Sequence, residues 1–543
     1  MAFAKLFSSG YVFYLERNFS KILTRSCSGK TNVPVCDKNE EGKDNTVSGE
    51  SPSGIGKKNG LVLGVYEDGD QFQLTPAAEE VNQKSGGKLC KYLNELSCEM
   101  KLGKAFVVTD VAPDVSCVAL ACLGKKAPGY NHLEDIDETN ENVRVGVGAG
   151  VRALAARGAR DVTVDAAGQP RAAAEAAHLA AWNFQEFKSL ETRKPEVKLS
   201  QYGSEPSDEW TLGSILGRSQ NWARFLSDMP ANSMTPIGLA QEALDVLCPL
   251  GVQVTVRERD WIEAQKMEAF LAVAKGSCEQ AVLLQCDYRA GGDTPPVLLA
   301  AKGVTFDSGG LCLKKAHEMK ENRGSMAGAA VVLAAIRAIA LAKVPINVSA
   351  VIPLCENMVS GQCMKVGDVV TALNGLSLQI EDTDMEGRLM LADALVLGQV
   401  LHKPSLVIDV ATLTHGVLLA TGGGAFGCFS NSEPLWRALR RAGARTGDRA
   451  WRLPLWDYYQ RQIQNDPAVD LRNRGSGTAT PCIGAAFLKN FVCCDWLHMD
   501  ITGVGKLSHA PAPPYLHPYR MTGRPTRTLA TFLMNAAESK DCK

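Results

Sequence analysis

The sequence predicts an α/β protein with two domains, a smaller N-terminal α/β domain and a larger C-terminal α/β domain. The chain has 543 residues, which is too long for a single hydrophobic core and indicates two or more domains. Short apolar runs typical of buried strands alternate with helical segments in both halves. A polar, turn-rich segment over 200–209 separates the two blocks. We therefore predict the N-terminal domain over 60–215 and the C-terminal domain over 216–543.

The first sixty residues differ in composition from the rest of the chain. Residues 1–30 contain basic residues, serines and aromatic residues but only one acid, Glu16. This composition is typical of a mitochondrial presequence, and the alternative is a tail without a targeting role. Residues 31–59 are polar and favour a flexible linker. We accordingly predict a mitochondrial protein, with a cytoplasmic location as the alternative.

The elements of both blocks follow from local patterns. Strands of the first block are predicted at 61–66, 105–109, 117–121, 143–148 and 161–164. An alanine-rich helix is predicted over 172–187, after Pro170, because alanine has the highest helix propensity. The second block begins with a helix at 219–227, and its remaining elements are strands at 297–300, 347–351 and 406–410 and an apolar helix at 326–341.

Charge and composition exclude several classes of protein. Lys and Arg number 58 against 59 Asp and Glu, a net charge of −1, which argues against binding to nucleic acid or an acidic membrane. The apolar stretch 406–429 is interrupted by Asp409 and His415, so no membrane span is predicted. The 17 cysteines include no CxxC motif, which favours a reducing compartment over a disulfide framework.

Two short carboxylate-rich segments are the candidates for a divalent metal site. None of the eight histidines lies in an HExxH motif, so a zinc site of that helical type is excluded. In KGVTFDSGG at 302–310, Asp307 lies just beyond a buried strand, where open α/β sheets place ligand sites. In EDTDMEGR at 381–388, Asp384 and Glu386 precede an apolar helix over 389–401. Taken alone, the first segment is explained as a glycine turn and the second as an acidic helix start.

Taken together, the segments resemble the signature blocks of the leucine aminopeptidase (cytosol aminopeptidase) family. The resemblance rests on KGVTFDSGG, PLCENMVSG and DTDMEGRL, and it extends to further blocks at 230–236, 260–262, 274–277, 411–414 and 522–527. It covers nearly all of 220–535, and residues 61–200 are compatible with the family's N-terminal domain. The resemblance implies a C-terminal catalytic domain whose mixed central sheet carries a dimetal site.

The resemblance also implies a reaction, the removal of N-terminal residues from peptides with two divalent metal ions, Mn or Zn. In the matching positions, Asp307 and Glu386 would bridge both ions and Asp384 would complete one site. Lys302 would bind the other ion through a neutral amine, although it could also be a surface amine. Such metals polarise the scissile carbonyl and activate a water.

Two further residues match the catalytic positions of the family. Lys314 would stabilise the tetrahedral oxyanion. Arg388 would hold a bicarbonate as general base, since its guanidinium fork grips a planar anion. The alternative for Arg388 is a structural ion pair with Asp384 or Glu386.

The sequence departs from the family pattern at the fourth metal-binding carboxylate. That position, eleven residues after Lys314, is Ser325. A serine hydroxyl is neutral and a poor ligand for a divalent cation. We therefore expect the metal on the Lys302 side to bind weakly or not at all, unless Glu321, about one helical turn earlier, replaces the lost ligand.

The substrate pocket implied by the resemblance is altered as well. Asn322 stands where the family has an apolar Met, and His415 stands where a glycine follows the ATLT block. Thr412 and Thr502 complete the set of predicted pocket residues, and the segment 500–505 replaces one that usually supplies an alanine and a bulky apolar residue.

Three functions remain open at this point. The first is a leucine aminopeptidase-like metalloexopeptidase with a degraded metal site and pocket and weak or lost activity. The second is an inactive homologue with a structural role in mitochondria, as in insect sperm. A nucleic-acid-binding role, as in some bacterial relatives, is disfavoured by the net charge. The resemblance further implies a homo-hexamer or a mixed hexamer with relatives.

Overall fold

The computed structural model describes residues 59–538, except 70, 97, 112, 204 and 506–511. The presequence predicted over 1–30 lies outside the described residues, as does the predicted linker except for its last residue. That residue, Asn59, is the first residue of a strand, so the linker prediction was wrong at this position.

Both halves of the chain alternate strands with helices. The strands are β1 (Asn59–Asp68), β2 (Gln71–Leu74), β3 (Ala105–Val108), β4 (Cys117–Lys125), β5 (Tyr130–Asn131), β6 (Ile136–Asp137), β7 (Asp161–Val164), β8 (Lys198–Gln201), β9 (Gln253–Arg257), β10 (Val282–Arg289), β11 (Val297–Ala301), β12 (Gly303–Asp307), β13 (Asn347–Asn357), β14 (Val369–Thr371), β15 (Ser377–Gln379), β16 (Leu406–Ala411), β17 (Phe426–Ser430), β18 (Ala450–Arg452), β19 (Leu471–Arg472) and β20 (Asp495–Asp500).

The helices complete the fold. They are α1 (Pro76–Lys84), α2 (Lys88–Leu96), α3 (Glu138–Ala156), α4 (Pro170–Ala181), α5 (Asp208–Asp228), α6 (Pro236–Leu247), α7 (Arg259–Ala264), α8 (Glu268–Ala274), α9 (Ala316–Met319), α10 (Ala327–Leu341), α11 (Gly387–His402), α12 (His415–Thr421), α13 (Glu433–Thr446), α14 (Asp457–Gln460), α15 (Thr480–Lys489), α16 (Thr502–Gly505) and α17 (Thr526–Glu538). Short 3₁₀ helices cover Leu190–Thr192, Cys248–Leu250 and Lys320–Met326.

The N-terminal domain is built on a mixed sheet with the strand order β3-β4-β1-β7-β8, and β2 pairs with β1. Strands β4, β1, β7 and β8 run parallel, whereas β3 and β2 are antiparallel to their neighbours. One hydrophobic cluster lies under α3 and α4, and a second lies under α1 and α2. The α/β prediction for this half is therefore confirmed.

The strand predicted at 143–148 was wrong, because these residues lie in α3. Helix α3 begins after Asp137, whose side chain accepts a hydrogen bond from the backbone N–H of Asn140. A Cβ on Gly146 would lie 2.7 Å from the backbone oxygen of Cys122, and one on Gly150 would lie 2.6 Å from Val62. The glycines thus let the helix pack directly on the sheet, and this contact outweighs their low helix propensity.

A long helix links the two halves. Helix α5 begins at Asp208 after the N-cap Ser207 and runs through residue 215 to Asp228, so the predicted boundary falls inside a helix. It also begins earlier than the helix predicted at 219–227. The helix predicted over 172–187 ends at Ala181, and Trp182 follows in an extended conformation.

The C-terminal domain contains a nine-stranded mixed sheet with the order β18-β17-β20-β16-β11-β13-β10-β9, and β12 pairs with β13. Its centre is parallel, from β20 through β16 and β11 to β13. Hydrophobic clusters cover both faces, with α10 on one side and α11 on the other. This mixed sheet confirms the predicted fold class, and it pairs the carboxyl ends of β11 and β16 side by side.

One helical stretch in the described part of the chain, Ala316–Leu341, has the length and hydropathy of a membrane span. Within its most apolar window, 89% of the residues are buried inside the fold. Such burial is typical of the core helix of a folded domain.

Candidate metal centre

Three carboxylates predicted as metal ligands converge at the edge of the C-terminal sheet. Asp307 is the last residue of β12, and Asp384 and Glu386 lie in the loop that leads into α11. One carboxylate oxygen from each lies within 4.8 Å of the others. Asp307 and Glu386 are buried, and Asp384 is partly buried. The fold therefore assembles oxygen ligands of the kind that divalent cations prefer.

Asn357 and Thr383 hold these carboxylates in place. The Asn357 side-chain amide donates to Asp307 Oδ1 at 3.0 Å and to the Thr383 backbone oxygen at 3.1 Å. The Thr383 hydroxyl in turn donates to the Gly309 backbone oxygen at 2.7 Å. Gly309 has a φ of 88°, which glycine adopts without steric cost. These contacts tie the end of β12 to the carboxylate loop before any ion binds.

The two predicted lysines both face the carboxylates. Lys302 Nζ lies 2.5 Å from Glu386 Oε1 and donates to the Thr412 backbone oxygen at 3.2 Å. Lys314 Nζ lies 3.1 Å from Asp307 Oδ2 and also pairs with Asp384. Lys302 is therefore a buried member of the cluster, and the alternative of a surface amine was wrong.

Burial and mutual repulsion raise the pKa values of the carboxyl groups. Burial, together with the charges of Asp307 and Glu386, raises the pKa of Asp384 to about 7. Burial and the Asp307 charge also raise the pKa of Glu386. Burial alone would lower the pKa of Lys314, but the charges of the three carboxylates raise it. An excess of negative charge in a buried cluster is what a bound cation relieves.

Ser325 lies on the Lys302 side of this cluster. Its backbone oxygen accepts a hydrogen bond from the Thr412 hydroxyl at 3.0 Å, and the Thr412 backbone oxygen binds Lys302. The Ser325 hydroxyl is buried and has no hydrogen-bond partner within the described part of the chain. Glu321, the alternative ligand, instead pairs with Arg323 at 3.3 Å and is not among the converging carboxylates. Glu321 is therefore not positioned with the three carboxylates.

Arg388 is buried beside a cavity of about 310 Å³ whose wall also includes His415. Its Nη1 donates to the Asn473 backbone oxygen at 2.8 Å, while its Nε is buried and finds no partner among the residues that the structure describes. Burial lowers the pKa of the guanidinium to about 10, so it remains charged at neutral pH. Among the described ion pairs, none joins Arg388 to Asp384 or Glu386, and the alternative of a structural pair was wrong.

The other predicted pocket residues occupy different places. Asn322 is buried and donates to the Glu318 backbone oxygen at 3.2 Å. Thr502 donates to Asp500 Oδ1 at 2.6 Å and accepts from the backbone N–H of Thr414 at 3.2 Å. Neither Asn322 nor Thr502 lines the cavity beside Arg388, so the structure does not gather all predicted pocket residues around that cavity.

Asp500 is a site residue to which the sequence analysis gave no role. Its carboxylate accepts hydrogen bonds from the Thr414 hydroxyl at 2.6 Å and from the backbone N–H of Leu413 at 3.2 Å. It therefore fixes the segment that carries Thr412 and His415. Its signal in the sequence is its place directly after the largely apolar run of β20, whereas the parallel pairing of β20 with β16 is seen only in the structure. Asn357 and Thr383 lie in the quoted sequence blocks but were likewise given no role.

Comparisons with known proteins agree over both halves of the chain. Residues 221–530 match the model of the cytosol aminopeptidase family, catalytic domain, and residues 62–191 match that of its N-terminal domain. The chain is 41% identical to the cytosol aminopeptidase of Xenopus tropicalis over 493 residues, covering 89% of this chain and 94% of the relative. Identity to the Homo sapiens cytosol aminopeptidase is 40%, covering 88% and 93%.

Solved structures give the same fold. The structure of the bottromycin maturation enzyme BotP in complex with Mn has a TM-score of 0.75 to this chain at 27% sequence identity. The similarity covers 89% of this chain and all of BotP.

Proposed function

The chain belongs to the cytosol aminopeptidase family, and on that basis we propose that it is a metalloexopeptidase homologue. We propose further that it binds one divalent cation firmly and that its aminopeptidase activity is weak or lost. The observation that carries this proposal is the buried hydroxyl of Ser325, which has no partner among the described residues. Ser325 is linked through Thr412 to Lys302, which pairs with Glu386. The family's aminopeptidases use divalent metals and act on peptides. This chain keeps three carboxylates for that purpose and has a neutral group at the fourth position.

The donor set fits one divalent cation. Asp307, Asp384 and Glu386 would hold it through oxygen atoms, which suits Mn²⁺ and is acceptable to Zn²⁺. A bound divalent cation supplies Lewis acidity and a more acidic water. A second cation on the Lys302 side would have to displace a buried ion pair and would gain only a neutral hydroxyl. We therefore propose that this second position is weakened.

The remaining catalytic positions are retained. Lys314 lies among the carboxylates, where its ammonium would stabilise negative charge that develops on a peptide carbonyl oxygen. The free Nε of Arg388 would donate to a small planar anion such as bicarbonate. Loss of one metal ligand beside intact Lys314 and Arg388 predicts residual activity that is restored when the ligand is restored.

Ser325→Asp tests the proposal directly, with Ser325→Asn as the matched control of nearly the same size but without charge. We expect the natural protein to bind about one manganese ion per chain and to hydrolyse a leucine arylamide slowly. Ser325→Asp should raise both the bound metal and the activity, whereas Ser325→Asn should raise neither. Two firmly bound ions and rapid turnover in the unmodified protein would contradict the proposal. Adding His415→Gly to Ser325→Asp measures whether the side chain at the cavity also limits turnover.

An inactive structural role in mitochondria is the second candidate, and His415 favours it because a bulky side chain replaces glycine at the cavity wall. Here the Ser325→Asp/His415→Gly variant would remain inactive.

For this role we further propose a homo-hexamer or a mixed hexamer with active relatives, which light scattering of the purified chain tests. A fluorescent protein fused to residues 1–30 tests the mitochondrial location, and cytoplasmic fluorescence would contradict it.

A further inference from the structure

Buried arginines collect at the seam between the two domains, away from the metal centre. Arg224 of α5 is fully buried, and its guanidinium stacks 4.2 Å from the centre of the Trp182 ring just after α4. Arg152 of α3 approaches the same region, since Gly148, about one helical turn earlier, packs against Tyr515, two residues before His517. Burial lowers the pKa of Arg224 although the Asp228 charge opposes it, and the charge of Arg152 lowers it further. Both side chains therefore bring positive charge to a place with little access to water.

Several N–H groups of these two arginines have no partner. Arg224 Nη1 donates to the Leu179 backbone oxygen at 2.9 Å and to Asn221 Oδ1 at 2.8 Å. In contrast, Nε and Nη2 of both Arg224 and Arg152 are buried and make no hydrogen bond to the described residues. Buried polar atoms are nearly always satisfied in folded proteins. Four such nitrogen atoms in one region indicate a missing acceptor.

The surrounding residues include one further cation, Arg520, and an imidazole, His517. Arg520 stacks 5.4 Å from the Phe184 ring, and His517 lies 3.1 Å from Asn183 Oδ1 through Nε2. Burial, Arg152 and Arg224 together lower the pKa of His517 to about 4, so this imidazole adds no charge at neutral pH and can donate or accept a hydrogen bond.

One acid, Asp228, faces this group of cations. Its Oδ1 lies 3.2 Å from Arg323 Nη2 and 3.8 Å from Arg520 Nη1. The backbone of Met521 also contacts this carboxylate. One carboxylate is thus shared among the guanidinium groups of Arg224, Arg323 and Arg520. A water could accept the unpartnered N–H groups, but it would leave the excess positive charge buried and uncompensated.

We propose that this seam, formed by Arg152, Arg224 and His517, binds a small oxyanion of the phosphate or sulfate class. The planar N–H edges of two guanidinium groups match the oxygen atoms of such an anion. Because Arg224 is fully buried, the anion must be small enough to lie between the packed side chains. An anion held here would join α3 of the N-terminal domain to α5, and it would stabilise the two domains as one unit.

Binding of inorganic phosphate to the full chain tests the proposal. The protein is transferred to a buffer free of oxyanions, and phosphate is added at constant ionic strength with sodium chloride as the reference. We expect one bound phosphate per chain by equilibrium dialysis, and a Tm that rises with the logarithm of phosphate concentration. Sulfate should act similarly. Adenosine monophosphate tests whether the natural ligand is a free anion or a phosphate ester. Tighter binding of adenosine monophosphate than of inorganic phosphate would indicate a phosphate ester, and weaker binding would indicate the free anion.

Arg152→Gln is the informative variant, because Arg152 is only partly buried and its removal leaves the Arg224 contacts to α4 intact. It should weaken phosphate binding at least tenfold, whereas Arg157→Gln, which removes an exposed arginine at the end of the same helix, should leave binding unchanged. His517→Phe provides a second test should Arg152→Gln fail to fold, with the same expected direction. The proposal is overturned if dialysis finds no bound phosphate or if Arg152→Gln and Arg157→Gln bind it equally.

Discussion

Ser325 places a neutral hydroxyl where the family pattern has a carboxylate, so the candidate metal centre has one negative charge less than that pattern. The backbone of Ser325 takes part in the hydrogen bonds around the site. The backbone oxygen of Ser325 accepts a hydrogen bond from the Thr412 hydroxyl, and the backbone oxygen of Thr412 accepts one from Lys302 Nζ. With Lys302 and Lys314 facing three carboxylates, the protein supplies little net negative charge for a second dication. Cation affinity depends strongly on the charge of the ligands, and the proposed weakening of the second metal position is argued from this residue.

Asp384→Asn tests whether the carboxylate cluster is a cation site, and Glu381→Gln is its matched control. Asp384 is one of the converging ligands, whereas Glu381 in the same loop pairs with Arg472 at 2.9 Å. We expect Asp384→Asn to lower manganese affinity by more than about 100-fold, since loss of partners beyond the ligands alone costs about 10- to 100-fold. Glu381→Gln should bind manganese as the natural protein does. Equal affinities in calorimetry would argue against these ligands.

At the scale of elements, the sequence predicted the strand ends that form the site more reliably than the helices that support it. Strand β12 and the start of α11 carry the predicted carboxylates, because apolar runs followed by Gly and Asp mark the carboxyl edge of a buried sheet. The strand prediction at 143–148 was wrong. The alternation of Val with Arg and Gly has the period of a strand, but the helix is favoured by the close packing of Gly146 and Gly150 on the sheet, which is a tertiary contact that the local pattern does not contain.

The support that holds the carboxylates was beyond prediction for a similar reason. Asn357 reaches Asp307 across neighbouring strands of the sheet, and Asp500 reaches Thr414 across a sequence separation of 86 residues. Such partners are defined by strand order, and the sequence pattern alone does not give that order. The residue types at the site were therefore predictable, but their hydrogen-bond partners were not.

Helix α10 offers a test of how closely the elements near the site are packed. A Cβ on Gly328 would lie 2.3 Å from the backbone oxygen of Val410 in β16, so Gly328→Ala must push α10 away from the sheet. We expect the free energy of unfolding to fall by about 1–3 kcal/mol, the usual cost of overpacking a core. Gly361→Ala is the control, because nothing lies within 4 Å of the added methyl group. Urea unfolding of both variants measures the difference, and an unchanged Gly328→Ala would show that the helix can shift freely.

At the scale of the whole molecule, a buried ion network joins the two domains. Glu175 of α4 lies 2.9 Å from Arg144 Nε and 3.3 Å from Arg171 Nε within its own domain. It also lies 2.6 Å from Arg527 Nη1 in α17 of the C-terminal domain. Arg527 continues the network to Asp448 at 3.5 Å. Glu175 is shared by three guanidinium groups, and Glu141 and Asp448 supply further negative charge at this part of the domain contact.

Glu175→Gln should therefore destabilise the protein in a pH-dependent way. Breaking a buried ion pair costs about 3–5 kcal/mol, and we expect a loss of that size in the free energy of unfolding at neutral pH. Although burial opposes it, the charges of Arg144, Arg527 and Arg171 lower the pKa of Glu175 from 4.5 to about 2. A group whose pKa is lowered on folding stabilises the folded state above its unfolded pKa, and this stabilisation is lost as the pH falls towards the folded value. The difference in the free energy of unfolding between the natural protein and Glu175→Gln should stay constant above pH 4.5 and shrink between pH 4.5 and about 2.

Denaturant unfolding across this pH range measures the difference, with the exposed Glu191→Gln as the control that should show none. A difference that does not change with pH would mean that the carboxylate charge of Glu175 does not hold the domains together, and that the contact rests on the apolar packing around it.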